Sequence, residues 1–152
     1  MLRRQRRFRQ RVLGSCIGKD VLDYGGGIGI MSSELARKGF NVTLLDVEGK
    51  TLDFARWLFA KRGLDIRIKV AGKDLLESYD DIVCLDVLEH LPDAEKSLGE
   101  MVAHLRDGGR LLATGLECEG EDETHPMHRQ TRLVEFLEQK GLRRIDDLCW
   151  SK

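Results

Sequence analysis

The stretch Val21-Leu22-Asp23-Tyr24-Gly25-Gly26-Gly27-Ile28-Gly29-Ile30-Met31 decides the fold. Val21 to Tyr24 is a short apolar run of the kind that makes a buried strand. It ends in the glycine cluster Gly25–Gly29, after which Ile30, Met31, Leu35 and Ala36 recur at helical spacing as far as Gly39. The order is strand, glycine turn, helix. Such a turn lets the backbone come close to a ligand, because a Cβ would collide and glycine reaches positive φ without penalty.

The same alternation continues downstream. Val42-Thr43-Leu44-Leu45-Asp46 reads as a second strand, and Leu52, Ala55, Leu58 and Phe59 mark a helix closed by Gly63. Ile66, Ile68 and Val70 alternate with Arg67 and Lys69, which predicts a half-exposed strand at a sheet edge. Asp81 to Leu85 is a fourth strand. Ala94, Leu98, Met101, Val102 and Leu105 line a helix starting after Pro92, and Gly108-Gly109 stop it and open a strand over Arg110 to Thr114. A polar loop from Glu117 to Glu123 precedes a helix carrying Leu133, Phe136 and Leu137, and Leu142 to Trp150 reads as one last strand. This pattern predicts an α/β fold: a doubly wound, mostly parallel sheet of six or seven strands with helices on both faces. Ligands in such sheets bind beyond the carboxyl ends of the strands, at the switch point, where the first glycine turn falls.

The 152 residues carry 25 Lys and Arg against 26 Asp and Glu, and 41% are hydrophobic, as in one globular domain. No apolar stretch approaches the roughly 20 residues needed to cross a bilayer, and no secretory signal pattern is present. The four cysteines are far apart with no Cys-x-x-Cys pair, unlike a disulfide framework or a zinc knuckle, so a reducing cytoplasm is expected. Charge is uneven. Arg3, Arg4, Arg6, Arg7, Arg9 and Arg11 crowd the first eleven residues, so 1–18 reads as a basic N-terminal arm or helix and 19–152 as the ligand-binding domain. A solvated helix or frayed terminus is the plain reading of that arm; nucleic acid, an anionic membrane surface, an acidic partner and a transit peptide are the functional ones.

The glycine turn does not fit a diphosphate. From Gly25 and Gly27, the third glycine of a dinucleotide fingerprint would fall at Ile30. Asp23 stands two residues before the first glycine, where it would repel phosphate and attract an ammonium group. Gly25, Gly27 and Gly29 are the cradle residues. Asp46, followed by Val47, ends the second strand, where a carboxylate can accept both hydroxyl protons of a ribose. Asp74, beyond the third strand, is placed to meet an adenine amine or to cap a helix before Leu75-Leu76-Glu77.

Asp23-Tyr24-Gly25-Gly26-Gly27-Ile28-Gly29, Asp46, Asp86-Val87-Leu88-Glu89-His90-Leu91-Pro92-Asp93 and Leu105-Arg106-Asp107-Gly108-Gly109-Arg110-Leu111 together resemble the class I S-adenosylmethionine-dependent methyltransferases. The Val-Leu-Glu-His stretch looks most like the small-molecule branch that includes quinone-biosynthesis methyltransferases. The resemblance covers about residues 19 to 145. It implies that the glycine turn holds the methionyl part of S-adenosylmethionine, that Asp46 binds the ribose, and that Leu85 and Asp86 pass beside the adenosine. Asp107 stands where the family usually has proline. The family's sheet ends in a hairpin whose final strand inserts next to the fifth; here the hairpin reads as truncated after a sixth strand, and the unprotected edge would invite a homodimer. No insertion reads as a substrate lid.

Displacement at a sulfonium needs positioning more than a nucleophile. An oxygen or nitrogen acceptor can still need a base, for which His90, His125 and His128 are the candidates, whereas His104 reads as structural. Asp86, Glu89 and His90 would share a face if helical, but one such set is thin support for a metal, and none is assigned. Trp57, Phe59 and Trp150 read as packing residues. The expected function is transfer of a methyl group to an oxygen or nitrogen of a small molecule. The alternatives are a non-catalytic or partner-dependent S-adenosylmethionine-fold binding module, and an RNA-associated methyltransferase guided by the arginine arm. The latter lacks the Asn/Asp-Pro-Pro-Tyr/Phe tetrapeptide of amine-directed nucleic-acid enzymes.

Overall fold

The computed structural model describes residues 2–74, 77–116 and 131–152, with side chains described from residue 7 onward except at 131. The elements in order are α1 (Leu2–Ser15), β1 (Asp20–Tyr24), α2 (Ile30–Arg37), β2 (Asn41–Asp46), α3 (Lys50–Arg62), β3 (Ile66–Val70), β4 (Tyr79–Cys84), α4 (Ala94–His104), β5 (Leu105–Ala113), α5 (Thr131–Gln139), β6 (Arg143–Arg144) and β7 (Cys149–Ser151). A 3₁₀ turn, Leu88–His90, precedes α4. The strands form one sheet in the order β3-β2-β1-β4-β5-β7-β6. The first five run parallel, with Val21 opposite Val42 and Asp81, and β7 is antiparallel to both neighbours.

The central strands are apolar at consecutive positions because both faces are covered. Leu22, Ile82 and Leu111 pack with α4 and α5, while their neighbours Val21, Val83 and Leu112 pack with α1 and α2. Leu44 meets Leu52, Ala55 and Phe59 of α3. β3 is the edge its alternation predicts. The helix expected after Pro92 starts where Asp93 accepts the Lys96 N–H at 2.9 Å as its N-cap.

Three expectations are corrected. The closing segment is not one strand: Asp146 accepts the Leu148 and Cys149 N–H groups, which turns the chain between β6 and β7. Asp and Asn side chains bind nearby backbone in this way and break strands. The hairpin is therefore present, with β7 inserted between β5 and β6, although both of its strands are short. The outer edge is two exposed arginines, a short charged strand of the kind that resists pairing, so the premise of an unprotected dimerising edge falls. The basic segment is not a solvated arm along its length either. Val12 and Leu13 of α1 are buried against the sheet, and Arg11 pairs with Asp146 and Asp147 of the β6–β7 turn.

Among the aromatics, Phe59 and Trp150 are core residues, but Trp57 is 52% exposed, its ring tilted against Phe54 with centroids 5.3 Å apart and the Lys61 ammonium over its face. Trp150→Ala should therefore cost about 3–5 kcal/mol in urea unfolding, the range for a large aromatic removed from a core. Trp57→Ala should cost less than about 1 kcal/mol, as for an exposed residue.

Candidate cofactor-binding site

Strand order reverses between β1 and β4, and the glycine turn lies at that crevice. A cleft of about 1070 Å³ opens there, walled by Gly25, Gly26, Gly27, Ile28, Ile30 and Met31 on one side and by Leu85, Asp86 and Thr114 on the other. Phe8 and Arg9 of α1 form its rim and Asp23 its polar lining. Of the residues singled out in the sequence, Asp23, Gly25, Gly27, Leu85 and Asp86 are thus brought together.

Asp46 joins them through the backbone. Its Oδ2 accepts the Gly27 N–H and its Oδ1 accepts the Val47 N–H, both at 2.7 Å. A carboxylate has about four acceptor sites, so roughly two remain for hydroxyl donors once these amides are bound. Gly27, at φ 57°, has nothing within 4 Å of where a Cβ would stand, leaving open space over the turn. Gly29 serves packing instead: at φ 76°, its Cβ would stand 2.2 Å from the Phe59 ring. Val47 is exposed beside Asp46.

Asp23 is the buried charge of the site, 3% exposed, with Oδ2 receiving the Ser32 hydroxyl at 2.5 Å. Burial pushes its carboxyl up to about 6; the Ser32 hydrogen bonds oppose the shift and the Asp46 carboxylate adds to it. Asp86 sits at φ 55°, a left-handed conformation that Asp tolerates better than most residues, and its N–H donates to Thr114 Oγ1 at 2.7 Å. That bond fastens the end of β4 to the end of β5.

Other predicted residues lie elsewhere. Asp74 folds back on its own turn, accepting the Val70 N–H at 2.6 Å, and the helix it was read as capping would begin at residues 75–76, outside the described residues. His90 stands on the 3₁₀ turn and does not line the cleft. The helical face proposed for Asp86, Glu89 and His90 does not form, because that turn is three residues long and Asp86 precedes it in a left-handed conformation. Among the described residues no cluster of three or more His, Cys, Asp or Glu side chains could hold a metal. His125, His128 and the loop from Glu117 to Glu123 lie outside the described residues. His104 Nδ1 is 3.0 Å from the Glu77 carbonyl, a structural contact. No described helix is long and apolar enough to cross a membrane.

Sequence reasoning missed Phe8 and Arg9. Arg9 Nε donates to Glu34 of α2 at 2.8 Å, which ties α1 across the cleft mouth. The signal was present: Phe8, Val12 and Cys16 recur every four residues through the arginines, and all three join the α1–α2 core.

The model of a methyltransferase domain matches residues 2–145. The chain belongs to the methyltransferase domain family. A ubiquinone biosynthesis O-methyltransferase of Paramagnetospirillum magneticum is 34% identical over 102 residues, 65% of this chain and 41% of that protein. The chain spans less than half the length of the curated relatives it matches. The magnesium protoporphyrin IX methyltransferase of Synechocystis PCC 6803, solved with bound S-adenosylmethionine, superimposes with a TM-score of 0.72 at 20% identity, covering 96% of this chain and 76% of that one. The [4+2]-cyclase SpnF superimposes with a TM-score of 0.77 at 21% identity over 92% of this chain and 57% of that one. These structural likenesses establish the fold, which in SpnF serves a cyclase.

Asp23 gives the site a signature in stability. Its folded value of about 6 lies above the unfolded 3.8, so the stability this shift contributes is complete below about pH 3.8 and is lost as pH rises through about 6. Asp23→Asn keeps the shape without the titration. Urea midpoints should converge with the wild type in acid and favour the variant by up to about 3 kcal/mol near neutrality. Parallel pH profiles for the two proteins would contradict the assignment.

Proposed function

We propose that this methyltransferase domain binds S-adenosylmethionine and transfers its methyl group to an oxygen or nitrogen of a small molecule. The observation that carries the reading is the Asp46 carboxylate, fixed by the Gly27 and Val47 amides with acceptor capacity to spare beside an open glycine turn. That arrangement suits the two hydroxyls of a ribose. The buried Asp23 carboxyl and the Arg9 guanidinium, both lining the cleft, suit the ammonium and carboxylate of an amino acid moiety, so the residues present fit the cofactor. The O-methyltransferase names of the relatives support an oxygen acceptor, and a cytoplasmic setting accords with the spaced cysteines.

When bound, S-adenosylmethionine supplies a methyl group on a sulfonium, a leaving group already activated by its charge. The chain contributes position and dryness. Asp46 and the turn fix the nucleoside end, Asp23 and Arg9 the amino acid end. Phe8, Met31 and Leu85 line the cleft with apolar surface that excludes water. Thr114 and Asp86 hold the ends of β4 and β5 together where the cleft meets the acceptor side.

A second reading is binding without turnover. Calorimetric titration with S-adenosylhomocysteine separates binding from chemistry. Asp46→Asn should weaken binding at least tenfold, about 1.4 kcal/mol, with the circular dichroism spectrum unchanged. Unaltered affinity would remove Asp46 from the site. Tight binding in the wild type without transfer of labelled methyl to any of a panel of phenols, carboxylates and amines would favour the second reading. Arg9→Ala should weaken S-adenosylhomocysteine at least fivefold but leave 5′-methylthioadenosine, which lacks the amino acid part, within twofold; equal losses for both would place Arg9 away from the carboxylate.

A further inference from the structure

At the end of the sheet opposite the cleft, the main chain that joins α1 to β1 is held group by group by charged side chains. Asp81 Oδ2 accepts the Ile17 and Gly18 N–H groups at 2.9 and 2.8 Å, and Asp80 Oδ2 accepts those of Lys19 and Asp20 at 2.8 and 2.9 Å. Arg110 donates to the Ser15 carbonyl at 2.9 Å, and Arg106 bridges the Asp80 and Asp20 carboxylates. Bonds to ionised groups are roughly twice as strong as neutral ones. The segment also lies tight against β4, since a Cβ on Gly18 would stand 1.9 Å from the Asp80 Cβ.

Asp81 is 0% exposed, and its Oδ1 has no hydrogen-bond partner. Burying a carboxylate with one oxygen unpaired costs stability, and apolar residues often serve a core as well or better. What the carboxylate supplies is geometry, because a single atom fixes two successive amides at the exit of a helix. Val12 and Leu13 hold α1 on the sheet, but apolar burial is non-directional and sets no angle. The Arg9–Glu34 and Arg11–Asp147 pairs lie nearer solvent, where ion pairs contribute about 0–1 kcal/mol.

We propose that Asp81, with Gly18 packed on Asp80, is a positioning device for the cofactor: it sets the angle of α1 and thereby the place of Arg9 at the rim of the cleft. The proposal rests on the reading of Arg9 as the partner of the cofactor's carboxylate. Asp81 acts from a distance, since Leu85 of the cleft stands four residues further along the chain, about 13 Å at roughly 3.3 Å per residue. The helix is the lever. Arg9 stands six residues before Ser15, about 9 Å along the axis at roughly 1.5 Å per residue, so a tilt of about 10° at the base moves it about 1.6 Å. A hydrogen bond does not survive a shift of that size.

Calorimetric titration with S-adenosylhomocysteine and 5′-methylthioadenosine tests the proposal, because the two differ in the amino acid part that Arg9 would meet. Asp81→Ala and, independently, Gly18→Ala should each weaken S-adenosylhomocysteine at least fivefold and leave 5′-methylthioadenosine within twofold. Asp81→Asn, which keeps an acceptor oxygen, should recover most of the loss. Adding Arg9→Ala to Gly18→Ala should weaken binding less than twofold further, since both act on one contact. Gly18 is half-buried rather than core, so Gly18→Ala carries the test if loss of the buried carboxylate unfolds the chain, as circular dichroism would show. Equal losses for the two ligands would make the clamp merely structural; unchanged affinity, or full additivity with Arg9→Ala, would likewise overturn the proposal. If Arg9→Ala fails to separate the two ligands, the reading of Arg9 falls and the clamp's role with it. If Arg9→Ala separates them and the clamp variants do not, the clamp alone falls.

Discussion

The central strands are buried on both faces, and every other feature of the molecule answers to that constraint. A parallel sheet wrapped by helices can offer its backbone to a ligand only at the strand ends, since elsewhere each amide is committed to a ladder and each side chain to a core. At the carboxyl end of β1 the chain meets this limit with glycines. The Gly27 amide, having no strand neighbour to bond, is taken by Asp46 from β2. One carboxylate therefore has two duties. It completes the hydrogen bonding of a turn that would otherwise be free to move, and it keeps lone pairs for a guest. Removing its charge is expected to disturb binding through both, which is why asparagine is a cleaner probe than alanine.

What could be read from residues alone follows the same division. The β1–turn–α2 unit, β2 with its terminal Asp46, the edge character of β3 and the start of α4 after Pro92 were legible because each depends on neighbours close in sequence: a periodicity, a turn residue, a cap. The hairpin was not. Leu142 to Trp150 has the composition of a strand, and only the bonds from Leu148 and Cys149 to the Asp146 carboxylate show that the chain doubles back. Asp74 shows a different limit: the side chain of a residue read as meeting an adenine is bonded to the backbone of its own turn.

The arginine-rich start was misread for a different reason. A run of charge attracts attention to what it could bind outside, yet the apolar residues threaded through it at four-residue spacing determine where it lies. Phe8 and Val12 dock the helix, and Arg9 then finds Glu34. Arg9 and Glu34 are half-buried, and ion pairs near a protein surface contribute about 0–1 kcal/mol each, so the apolar contacts do most to hold α1 in place.

That docking also imposes an order of events. Arg11 meets Asp147 across 136 residues of sequence, and Val12 shares its core with Leu148 and Cys149. Contacts so distant along the chain close late, because the loop entropy must be overcome before they form. The α1 wall of the cleft is therefore closed in two steps: its Arg9 end can meet Glu34 across 25 residues, whereas its Arg11 end has to wait for the hairpin at 143–151. One helix thus spans a short closure and a long one, both of which shape the binding site.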